Sequence, residues 1–176
     1  MNDPKEQAEY IKALKTYHSS LTEHIPSKIP NNQVGYGFSS SIVNNYSDFY
    51  IRTKEKKENY FTIKERFING SYPFIPSNDS SIMIYESMDK LKLEKKKFDY
   101  KIVPQYLYED HTEYNTSKLM DYNFDIIILK SKFESLPSSI DYMDMKTNDG
   151  TLANNYFSGV AFYDKDLIIT YWLITW

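Results

Sequence analysis

With 176 residues, 41% of them hydrophobic, the chain is about one domain long and can bury a core without metal or disulfide staples, so a single globular domain over 1–176 is expected. A formal charge of −3 argues against nucleic acid as a partner, since such proteins present a basic face or stripe. The absence of cysteine excludes disulfide frameworks, thiolate zinc sites and cysteine nucleophiles.

The opening Met1–Asn2–Asp3–Pro4 leads into a charged amphipathic segment, so no signal peptide is read there. No stretch reaches the roughly 20 apolar residues of a transmembrane span. Asp3 can cap a helix, Pro4 suits its first position, and Glu6 can complete a capping box. Tyr10, Leu14, Tyr17 and Leu21 then fall on one helical stripe, with Ile11 beside it, which predicts an N-terminal amphipathic helix lying on a sheet. Ile25–Pro26 and Ile29–Pro30 end it, because a residue preceding proline is pushed out of the α region. His24–Pro30 is expected to be extended. Gly35 and Gly37 lack the spacing of a phosphate loop and are read as turn glycines.

Tyr46–Thr53 predicts a strand with Phe49 and Ile51 on one face and Tyr50 and Arg52 on the other. Tyr60, Ile63 and Phe67 predict a helix from about Lys56 to Ile68, stopped by Asn69–Gly70, with a strand over Tyr60–Ile63 as the alternative. Two prolines make Ser71–Asp79 a loop. Ile82–Tyr85 and Phe98–Val103 read as strands. Between them, Lys90–Lys97 is a local basic run of the kind that usually lies on a solvated loop or edge.

Phe124–Lys130 is a β-branched run and a further strand. Tyr156–Tyr163 and Leu167–Trp176, separated by Asp164–Lys165–Asp166, predict a hairpin. In its second strand Leu167, Ile169, Tyr171 and Leu173 alternate with Ile168, Trp172, Ile174 and Trp176, so both faces are apolar and the strand is central. Gly159 in the neighbouring strand marks a bulge or a close backbone approach. The expected class is α+β: a mainly antiparallel β-sheet of about five to seven strands with the N-terminal helix packed on one face.

Catalytic signals are sparse. Glu109, Asp110, His111 and Glu113 are adjacent in sequence, and neighbours hold a metal only when a loop wraps the ion. No HExxH pattern joins His18 or His24. Asp141, Asp144 and Asp149 miss the calcium-loop spacing, and no Gly-x-Ser-x-Gly elbow is present. No catalytic, metal or cofactor-binding residue is assigned, and no cofactor is implied. The 17 tyrosines and 10 phenylalanines follow most simply from AT-rich codons. A tyrosine-laden recognition surface is the alternative, with Tyr106, Tyr108 and Tyr114 as its contact residues.

The segment His24–Ile25–Pro26–Ser27–Lys28–Ile29–Pro30 after the first helix, together with a Tyr/Trp-rich final strand, resembles a group of bacterial proteins, often exported or membrane-anchored, that carry a His-Phe-Pro-x-x-Ile-Pro-like segment. Ile25 stands where those proteins tend to carry Phe, and their following glycine-rich stretch is reduced to Gly35 and Gly37. The resemblance implies the soluble part of an envelope protein and brings no catalytic residue. The leading expectation is therefore a non-enzymatic binding or interaction domain whose partner is another protein. A cytosolic immunity-type partner-binding protein and a hydrolase with a site assembled from scattered residues are the alternatives.

Overall fold

The computed structural model describes residues 3–41, 46–85, 101–110, 118–119, 123–132 and 155–175. The Lys90–Lys97 run, His111, Glu113, Tyr114, Asp141, Asp144, Asp149 and Trp176 lie outside them.

Helix α1 (Pro4–Leu14) begins as its capping signals predict: the Asp3 carboxylate accepts from the Lys5 amide at 2.9 Å. The single helix expected through Leu21 is instead broken after Leu14. The Thr16 hydroxyl donates back to the Ala13 carbonyl at 2.7 Å, and His18 Nδ1 accepts from the Ser20 amide to cap a new short helix, α2 (Ser19–Thr22). The break frees the Tyr17 hydroxyl to donate to the Asp48 carbonyl at 2.9 Å. Tyr10 and Leu21, two members of the predicted stripe, are buried, while Leu14 and Tyr17 are partly so.

The six-stranded sheet holds, in spatial order, β1 (Gln33–Ser41), β2 (Tyr46–Lys54), β10 (Ile168–Thr175), β9 (Tyr156–Tyr163), β8 (Asp125–Lys132) and β3 (Ile75–Pro76), all antiparallel. The fold is α+β, as expected. β10 lies between β2 and β9, the interior position that its two apolar faces require. It starts at Ile168 because Leu167 takes a left-handed φ of 56° in the hairpin loop.

Each face of the sheet carries its own core. On one, α1, α2 and α3 (Lys57–Asn69) cover Phe49, Ile51, Ile127, Val160, Phe162, Ile169, Tyr171 and Leu173, with Tyr10, Leu21 and Tyr60 set among them. On the other, β4 (Ile82–Tyr85), its parallel neighbour β5 (Lys101–Pro104) and the 3₁₀ turn Gln105–Tyr108 cover Ile126, Phe157, Ala161, Tyr163, Trp172 and Ile174. A further two-residue pairing joins β6 (Glu109–Asp110) to β7 (Lys118–Leu119). No helix among the described residues is long and apolar enough to cross a membrane.

Two further expectations are corrected here. Ser71–Asp79, read as a loop because of its two prolines, contributes Ile75–Pro76 to the sheet as β3, at an edge where the missing proline N–H costs no ladder bond. Gly35 and Gly37 are strand residues of β1, not turn glycines. Gly37 is opposite Tyr50, whose ring occupies the space a Cβ would need: Tyr50 Cε1 would lie 2.7 Å from it.

Candidate functional site

Three places bring polar or recognition chemistry together. The first is a brace at one end of the helical face. Lys64 of α3 points across β8 to Asp125 at 2.9 Å and to Asp164 in the β9–β10 loop at 2.6 Å. The Tyr60 hydroxyl also donates to Asp164, at 2.6 Å. The Lys64 ammonium lies over Phe74 and Phe162, 5.6 and 5.8 Å from the ring centroids. Burial alone would lower the Lys64 pKa, but the two carboxylates outweigh it and the net direction is upward. Burial would likewise raise Asp164, and the hydrogen bonds from Lys64 and Tyr60 reverse that to a net lowering. Lys64 is thereby held as a cation between two carboxylates, which ties α3 to the sheet.

The second lies inside the opposite core. Arg52 is buried, donates from Nη2 to the Tyr106 carbonyl, and stands 5.6 Å from the Tyr50 ring centroid. Its Nε has no hydrogen-bond partner among the described residues. The Tyr50 and Tyr106 rings pack tilted with centroids 4.5 Å apart, and Phe124 and Tyr163 stack at 4.6 Å. Burial pushes the Tyr163 phenol up to about 12, with the nearby Arg52 cation pulling the other way. The Tyr163 hydroxyl donates to the Leu107 carbonyl at 2.7 Å.

This is also where two of the tyrosines proposed as contacts reside. Tyr106 is buried, with its hydroxyl 3.4 Å from the Phe49 carbonyl. Tyr108 is half-buried, donates to the Ser77 carbonyl at 2.8 Å, and meets Phe124 edge-on at 5.0 Å. The Tyr106 hydroxyl thus holds the 3₁₀ turn to β2, and the Tyr108 hydroxyl holds it to the residue that follows β3. Tyr114 lies outside the described residues.

The third place is a sheet edge. Among the described residues β1 pairs with β2 alone. Its sequence, Gln33-Val-Gly-Tyr-Gly-Phe-Ser-Ser-Ser41, contains no charge and no proline. Val34 is 52% exposed and Phe38 46% exposed. Phe38 stacks on Phe49 at 6.4 Å and Tyr36 meets Tyr10 of α1 edge-on at 5.9 Å, so both rings lie on the helical face. Tyr10, whose ring meets Tyr36, has Glu6 one turn before it and Glu9 next to it on α1, with Asp3 at the cap; burial raises the Tyr36 pKa, and the charges of these three carboxylates raise it further. The other edge is different: β3 is only two residues long and contains Pro76. A short, proline-bearing edge is a common guard against strand pairing, and β1 carries neither that guard nor a charge. Sequence reasoning missed this site because the two glycines suggested a turn, although the uncharged run itself was visible.

The family models, the curated proteins and the solved structures compared with the chain contain no match to it. Among the described residues no cluster of His, Asp and Glu has a metal-holding arrangement.

Proposed function

We propose that the chain is a non-enzymatic binding domain that engages a partner protein along β1. The observation that carries this reading is the contrast between the two sheet edges: one is two residues long and ends in proline, the other is nine residues long, uncharged, and carries the exposed Val34 and Phe38. An exposed aromatic edge of this kind suits recognition, since main-chain groups supply affinity and alternate side chains supply selectivity. The resemblance carried by His24–Pro30 and the aromatic final strand supports a location on the soluble part of a bacterial envelope protein.

A photo-crosslinking amino acid at position 38, with position 61 on α3 as the exposed control, tests the reading in cells of the source organism. A discrete adduct at 38 and none at 61 is expected. No adduct at 38, or the same ladder of products at both positions, would overturn it.

A further inference from the structure

We propose that the β1 edge accepts an added strand, and that its occupant is an extended, lysine- or arginine-bearing segment of a partner protein, with the basic side chains directed to the acidic face of α1. This rests on the binding-domain reading above and specifies the partner's chemistry.

The backbone supplies the first argument. An edge strand leaves alternate N–H and C=O groups pointing away from its sheet, and an incoming strand satisfies them all at once. The register of β1 on β2 is regular from Tyr36↔Ile51 to Ser41↔Tyr46, with its one irregularity confined between Gln33 and Gly35. Gly35–Ser41 is therefore a straight template beyond the bulge. Gly35 has nothing within 4 Å of its Cβ position, so the sheet face above it is open to a side chain of the added strand.

Charge supplies the second. On the helical face, where the Tyr36 ring meets Tyr10 of α1 at 5.9 Å, an added strand would set its alternate side chains beside Tyr36 and Phe38 and near the exposed carboxylates of that helix: Glu6 one turn before Tyr10, Glu9 next to it and Asp3 at the cap. Lysine or arginine at those positions gains ion pairs with the carboxylates and packs over the rings. A second copy of this chain fits less well. Two β1 edges paired antiparallel about a two-fold axis normal to the sheet would bring two acidic α1 faces to the same side of the joint, where like charges oppose the contact.

The test uses the full chain and three short synthetic peptides: alternating threonine and lysine, alternating threonine and glutamate, and the lysine peptide with alternate backbone amides N-methylated. Binding is read from amide exchange and chemical shifts of Gly35–Ser41. The lysine peptide is expected to slow exchange of those amides, and the glutamate peptide to bind about tenfold more weakly, the combined effect of three exposed ion pairs. The N-methylated peptide is expected to leave exchange unchanged. In the double variant Glu6→Lys, Glu9→Lys, whose positions are exposed on α1, the charge preference should reverse.

Equal binding of the lysine and glutamate peptides, or an unchanged preference in the double variant, would overturn the basic occupant. Binding of the N-methylated peptide as strong as its parent would overturn strand addition, while an adduct at Phe38 in the crosslinking experiment would leave the binding reading standing. Protection of Gly35–Ser41 that rises with protein concentration in the absence of peptide, together with a dimer in sedimentation, would make a second copy the occupant and overturn the proposal.

Discussion

Trp172 and Gly159 face each other across β10 and β9, and the indole fills the space in which a side chain at 159 would sit. A Cβ placed on Gly159 would lie 2.1 Å from the Ile127 carbonyl oxygen and 2.8 Å from the indole Cζ2. The pair belongs to a row across the sheet, Gly37↔Tyr50↔Trp172↔Gly159↔Ile128, in which two large rings stand side by side and a glycine flanks each. Packing at interior density leaves no room for a full side chain at all five positions of that row.

Gly159→Ala should therefore cost about 1–3 kcal/mol, the range for overpacking a filled core, because the closest atom belongs to the backbone of β8 and cannot swing aside. Gly37→Ala should cost less, since only the Tyr50 ring must yield. Gly35→Ala, with open space around it, should be neutral or stabilising by up to about 1 kcal/mol. Urea midpoints of the three variants check the order. A Gly159→Ala midpoint equal to that of Gly35→Ala would show that the Trp172 row is not the constraint described.

That row also marks how far the sequence could be read. β9 and β10 were legible because alternation and β-branching act along the strand itself, and apolar residues on both faces of Leu167–Trp176 indicated an interior position. Gly159 was legible as a close approach for the same local reason. Gly37 was not, because the reason for it, the Tyr50 ring, comes from another strand whose register only the fold sets. The break after Leu14 was hidden similarly: it depends on Thr16 bonding back to Ala13 and on Tyr17 reaching Asp48, and neither alters the apolar stripe. The candidate edge was illegible because strand order, which leaves β1 outermost, is a property of the assembled sheet.

Trp172→Ala should cost roughly 3–5 kcal/mol, as for other large aromatic side chains removed from a core. The residue is fully buried, and Ile102, Val103, Tyr106 and Leu107 share its cluster. Its indole Nε1 has no hydrogen-bond partner among the described residues, so Trp172→Phe removes ring volume without stranding an acceptor and should cost less. Chemical denaturation of both variants separates the two; a Trp172→Ala midpoint near that of the parent would contradict a central β10.

His24 gives the protein an acid-sensitive contact. Its Nε2 lies 3.1 Å from the Trp172 carbonyl oxygen, and since a carbonyl only accepts, that nitrogen carries the proton and donates. Burial lowers the imidazole pKa to about 4 from its ordinary 6.5, although the carbonyls of Trp172 and Gly159 favour the charged form. The unfolded chain thus binds the proton more readily than the native one, so this contribution is complete above about pH 6.5 and is lost as pH falls toward 4. Between pH 7 and pH 5 the native state should lose about 2 kcal/mol through this group. In His24→Gln, whose amide can still donate to Trp172, that part of the pH dependence should vanish. Equal slopes of stability against pH for the two proteins over this interval would count against it.

The Lys64 brace should respond according to how much water its carboxylates keep. The Asp125 side chain is 35% exposed and that of Asp164 is 54% exposed, against 11% for Lys64. Lys64→Met keeps the apolar stem under Phe74 and Phe162 and removes only the ammonium. Water can then solvate both carboxylates, so the expected cost is about 1–2 kcal/mol, below the roughly 3–5 kcal/mol of breaking a fully buried pair. Because Asp164 is held below its ordinary 3.8, its contribution is present at neutral pH and disappears as pH falls through that value and below. The acid limb of the stability curve should therefore be shallower in Lys64→Met than in the parent. A double-mutant cycle of Lys64→Met with Asp164→Asn gives the decisive number: a coupling near zero would mean that the loop carboxylate and α3 are not joined by this contact, whereas a coupling of about 0.5 kcal/mol or more establishes the brace.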